Sequence, residues 1–133
     1  MLMKKDIDIP DVSDVFMAVV KEYNDIYKTD DWNVYIINNK SVDLDIVLIV
    51  SHGYDEKDST SKMRHKIENL PANSYAKVEL IQPELFKLNN EFKITFFESN
   101  SMFEKTFLFK KNTLNEGALR MISLLNKKGI LLK

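Results

Sequence analysis

The 133-residue chain contains no cysteine, which excludes disulfides, thiolate metal sites and cysteine nucleophiles together. Glycine and proline number three each. That is too few for a phosphate-cradling loop, which needs several residues at positive φ or in close backbone approach. Neither GxxxxGK followed by Ser or Thr nor GxGxxG occurs. The only arginines are Arg64 and Arg120, and arginine carries most bidentate recognition of phosphates and base edges. The formal net charge of -1 supplies no field to recruit nucleic acid or an acidic membrane. No apolar run approaches the roughly 18 residues of a membrane helix, and Lys4-Lys5 precede no apolar segment of signal-peptide length. The expectation is a soluble cytoplasmic protein with no cofactor, no membrane contact and little use for nucleic acid.

What is present reads as globular. The chain is 44% hydrophobic and 29% charged, within the range of a single domain, here 1–133, that buries one core. Residues 11–27 place Val12, Val15, Phe16, Val19, Val20, Tyr23, Ile26 and Tyr27 at helical spacing. With Asp11 as cap, this predicts an amphipathic helix docked on a sheet.

From Trp32 onward the texture is that of strands. Residues 32–37 and 44–51 are β-branched and apolar on both faces, which predicts a central pair covered on both sides. One side would face the core; the helix or a second subunit would cover the other. Residues 62–69 read as a lysine-bearing edge strand. Residues 75–81 alternate, with Ala76, Val78 and Leu80 on one face and Lys77 and Glu79 on the other. Residues 92–98 and 102–109 form the clearest hairpin, and residues 83–90 a loop with a short helical turn. The last segment fits either a capped helix or a hairpin. The second is preferred, with strands near 119–125 and 130–132 and Gly129 in a left-handed turn position. Six to eight short antiparallel strands predict a mainly β fold, a β-sandwich of immunoglobulin-like arrangement first and a closed or half-open barrel second.

The stretch Ser51-His52-Gly53 invites a catalytic interpretation, but neighbours on a strand point to opposite faces. Ile49 also stands where a nucleophile elbow requires glycine. His52 and His65, with Asp55, Glu56 or Asp58, form a weak two-histidine, one-carboxylate metal pattern that would suit a small hydrolase. The phenylalanines fit core packing better than a base-stacking platform. Phe97 is the exception, since it falls on the polar face of its strand; with Trp32 and Tyr54 it could mark a contact surface.

The strand Trp32–Asn39, Ser51 with Gly53-Tyr54, the turn Leu70-Pro71-Ala72-Asn73-Ser74 and the ending Asn126–Lys133 resemble a family of short uncharacterised bacterial proteins. Some of its members are labelled phenylalanyl-tRNA synthetase alpha subunit. The resemblance implies a free-standing small domain and suggests a translation-associated protein contacting tRNA or a synthetase. A synthetase of that class uses arginines to grip ATP, and Arg64 and Arg120 do not stand in such motifs. The leading expectation is a non-enzymatic interaction or self-associating module, with a protein partner or a second copy as its ligand.

Overall fold

The computed structural model describes residues 12–133. Nine strands among them build two antiparallel sheets. They are β1 (Val15–Asn24), β2 (Thr29–Asn38), β3 (Leu44–Tyr54), β4 (Met63–Leu70), β5 (Ser74–Leu80), β6 (Asn89–Glu98), β7 (Ser101–Phe109), β8 (Arg120–Ile122) and β9 (Lys127–Leu132). One sheet has the order β5-β2-β1-β9-β8, the other β4-β3-β6-β7. The sheets are separate, so the strands form no closed barrel. Among the described residues no helix is long and apolar enough to cross a membrane.

The helix expected over 11–27 is a correction: Val15–Asn24 is a strand paired with both β2 and β9. Asp11, its expected cap, lies outside the described residues. The run Val15–Val20 is apolar at every position, so it satisfies a helical stripe and a doubly buried strand equally well. Its three valines favour the strand. Tyr23, Ile26 and Tyr27 completed the helical stripe on paper, yet all three are exposed.

A second correction concerns the two-sided strands. β2 and β3 are both interior strands, but of different sheets. Residues 39–43 carry the chain across, pinned by Asn38. Its buried amide nitrogen lies 2.9, 3.2 and 3.0 Å from the carbonyls of Val42, Leu70 and Pro71. Between the sheets sits the main core, with Met17, Val34, Ile36, Ile49, Phe92, Ile94 and Phe96 at its centre. Burying each such side chain contributes roughly 1.5–3 kcal/mol.

The β6–β7 hairpin closes through Ser99 and Asn100 alone, both at positive φ, the geometry of a two-residue type I′ turn. Residues 83–85 make the expected short helical turn. The C-terminal hairpin forms, but its left-handed residue is Asn126, not Gly129. Gly129 is required for closeness instead. A Cβ there would stand 2.6 Å from the Val19 carbonyl oxygen and 2.9 Å from Ile122 Cδ1. Its absence lets β9 approach β1 while Ile122 packs above.

That packing decides the outer face of the five-stranded sheet. Phe16, Ala18, Val20, Tyr35, Ile37 and Leu131 point away from the main core and form a second cluster with Ile122 and Leu125. The cover expected from a helix or a second subunit is the chain's own C-terminal turn.

Candidate functional site

Ser51 and His52 do point to opposite faces. Ser51 is buried between the sheets and donates its hydroxyl hydrogen to Glu79 Oε1 at 2.9 Å. His65 Nε2 lies 2.7 Å from the same oxygen. This brings together a serine, a histidine and a carboxylate, but in an order that does not activate the serine. A nucleophilic triad needs the imidazole between the hydroxyl and the acid; here the carboxylate occupies the middle. Glu79 belongs to the five-stranded sheet, while Ser51 and His65 belong to the four-stranded one. The arrangement ties the sheets together beside a cavity of about 130 Å³.

Glu79 reaches that position through a bulge. The register of β2 against β5 runs Tyr35 to Lys77 and then Val34 to Glu79, so Val78 is an extra residue. Beyond it the alternation inverts. Glu79 turns toward the core side, and Leu80, expected inside with Ala76, is 45% exposed.

His52 lies on the outer face against Tyr54, with ring centroids 5.4 Å apart, while His65 faces inward. Asp55 closes its own turn, accepting from the amides of Lys57 at 2.8 Å and Asp58 at 2.7 Å. Those amides, Asp58 first, hold its carboxyl below the usual range. The three residues of the metal pattern are therefore not brought together. No group of three or more potential metal-ligating side chains occurs among the described residues.

Of the three residues expected to mark a contact surface, Trp32 is 7% exposed and packs edge-on against Phe86, with centroids 4.9 Å apart. Tyr54 and Phe97 are half-buried on the outer face of the four-stranded sheet. The paired registers lay that face's side chains in rows across the strands. One row is Lys66, Leu48, Thr95 and Glu104. The next is Arg64, Val50, Lys93 and Thr106, followed by His52, Glu91 and Leu108. On the other side come Asn69, Asp45, Phe97 and Met102. Ile46 joins this last row through a bulge in β3 against β6, held at φ 47, an unfavourable conformation for a β-branched residue. With Asp45, Glu68, Phe97 and Asn100 it lines a hollow of about 480 Å³. Ile46, Leu48 and Met102 are 42%, 41% and 43% exposed.

The sheet edges, by contrast, are blunted against pairing. β8 has only three residues, β5 is bulged against its neighbour, and β4 carries Arg64 and Lys66. In β7, Lys105 falls on the inward face opposite Ile94, with its Nζ 4.7 Å from the Phe107 ring centroid.

Sequence reasoning missed two further features. The β1–β2 turn presents Ile26 and Tyr27 to solvent, its backbone fastened by Asn24 Oδ1, which accepts from both amides at 2.9 and 3.1 Å. Glu22 accepts from Asn33 at 2.8 Å, Tyr35 at 2.6 Å and Lys127 at 3.0 Å. Burial pushes its carboxyl up, but these three donors together outweigh that and hold it below the ordinary value. Burial, then the Glu22 carboxylate, push the Tyr35 hydroxyl up. Only an expected turn or an expected strand pairing could have flagged either, and the helical stripe concealed both.

Compared with family models, curated proteins and solved structures, the chain matches none.

Proposed function

We propose that this protein is an immunoglobulin-like sandwich acting as a non-enzymatic interaction module, with the outer face of β4-β3-β6-β7 as its contact surface. The strand order supports the first part. β5-β2-β1 follows the E-B-A order of immunoglobulin domains and β3-β6-β7 the C-F-G order, with β4 beside β3 rather than beside β5. β8 and β9 extend the first sheet beyond β1.

The observation that carries the second part is the apolar outward side of one interior strand, β3. Ile46, Leu48 and Val50 on β3 lie beside Phe97 on β6 and Met102 on β7, rimmed by charged residues. Apolar patches with polar rims are what interaction surfaces look like. The central position of Glu79 between Ser51 and His65 supports a structural part for those residues rather than a hydrolytic one. For a tRNA or synthetase contact, Lys66 and Lys77 would need to share a face. They project from the outer faces of different sheets, which weighs against that alternative.

The test compares two surfaces. Immobilised wild type, Leu48→Glu and Tyr27→Ser are exposed to a lysate of the source cells and the retained proteins compared. Retention lost with Leu48→Glu and kept with Tyr27→Ser supports the sheet face. The opposite pattern moves the contact to the β1–β2 turn and defeats the proposal.

A further inference from the structure

We infer that the occupant of this face is a second copy of the same chain, docked face to face about a two-fold axis that runs parallel to the strands. The inference rests on the assignment of the face as the contact surface and goes on to name the partner.

Charge complementarity selects both the partner and the axis. A two-fold axis in the interface plane and along the strands places β4 over β7 of the second copy, and β3 over its β6. Each row then meets its own reverse. Lys66 faces Glu104 of the second copy, and Leu48 faces its Thr95. Arg64 faces its Thr106, Val50 its Lys93 and His52 its Glu91, while Asp45 and Ile46 stand against its Phe97. An axis perpendicular to the strands and centred on the Leu48 row would do the opposite, setting Lys66 against Lys66 and Glu104 against Glu104. Of the two, only the first joins Lys66 to an unlike charge, around a centre in which Leu48 and Val50 of each copy meet Thr95 and the stem of Lys93 of the other. Within one copy Lys66 lies 3.2 Å from Glu68, and Lys93 lies 3.4 Å from Glu104. Lys66, Glu68 and Lys93 are exposed and Glu104 is half-buried, so these pairs exchange for pairs across the interface at little cost.

The area sets the strength. Four strands at about 4.8 Å spacing and some eight residues of length give roughly 500 Å² per copy and about 1,000 Å² per pair. That is the lower bound of specific interfaces, so the dimer is weak and reversible. The blunted edges direct association to the face rather than to a continuous sheet.

The experiment is sedimentation of the intact protein from about 10 μM to about 1 mM, a range chosen for a weak complex, with charge-reversed variants. Wild type should pass from monomer to dimer across that range. Lys66→Glu and Glu104→Lys should each weaken dimerisation by about tenfold or more, and the double variant should return to within about threefold of wild type, because reversing both charges restores the pair. Both side chains are exposed or half-buried, and the melting temperature of each variant checks that folding is unchanged. A wild type that stays monomeric at the top concentration overturns the inference, as does a double variant no better than the singles. Leu48→Glu separates the two levels of the argument. A monomeric wild type whose contact with another protein depends on Leu48 leaves the face assigned and removes only the second copy. Association indifferent to Leu48→Glu removes both.

Discussion

Each sheet has an interior strand that turns apolar side chains outward, β1 in one and β3 in the other, yet among the described residues only the first is covered. On the five-stranded sheet, Ala18, Val20, Tyr35 and Ile37 lie under Ile122 and Leu125. On the four-stranded sheet, Leu48 and Ile46 face solvent, with Val50 and Phe97 half-buried beside them. Two-sided apolar strands do call for cover on both sides, but sequence does not say where the cover comes from. One sheet finds it in a distant C-terminal turn of the same chain. The other lies open to solvent among the described residues.

Removing the internal cover should show the largest effect. Leu125→Ala is expected to cost about 2–5 kcal/mol in denaturant unfolding, the range for truncating a buried leucine. Leu48→Ala on the open face of a dilute sample should change stability by no more than about 0.5 kcal/mol. Comparable losses at the two positions would erase the distinction between the faces.

Next comes the close approach beneath the cover. Gly129→Ala forces a methyl against the Val19 carbonyl and Ile122, and overpacking of this kind costs roughly 1–3 kcal/mol. Its melting temperature should fall, while Gly117→Ala, where the nearest contact is the Asn115 side chain at 3.3 Å, should change much less.

A smaller effect distinguishes the covered face by pH. The Glu22 carboxyl is held below its ordinary value in the folded protein. Its contribution is therefore complete above the ordinary glutamate range and is lost as pH falls through the folded value. The Tyr35 hydroxyl is shifted the other way, so its contribution is complete below the ordinary phenol value and declines as pH rises past it. Glu22→Gln should flatten the acid limb of the Tm–pH profile, and Tyr35→Phe the alkaline limb. An acid limb unchanged by Glu22→Gln would show that the carboxylate does not help hold Lys127 and the C-terminal hairpin.

The smallest stability change belongs to Leu48→Glu, within about 0.5 kcal/mol for an exposed position, and it should be accompanied by loss of association.

Much of the architecture was legible because period and turn chemistry agreed. The β6–β7 hairpin alternates its phenylalanines around Ser99 and Asn100, and the edge strand β4 carries Lys66. Legibility failed where one pattern satisfied two periods, as in Val15–Val20. It failed again where a single extra residue inverted a face, as Val78 does for Glu79 and Leu80. The candidate face was half visible. Phe97 stood out on a polar face, and Ile46–Val50 read as two-sided. Trp32 looked like a surface aromatic, but its depth depends on Phe86, a contact between distant segments that no local pattern encodes.

The most direct measurement is an amide NMR dilution series on uniformly labelled protein. The account predicts concentration-dependent shifts confined to the outer face of the four-stranded sheet, centred on Leu48, Thr95 and Phe97. Shifts at Ile26 and Tyr27, or over the C-terminal turn at Leu124 and Leu125, or none at all, would contradict it.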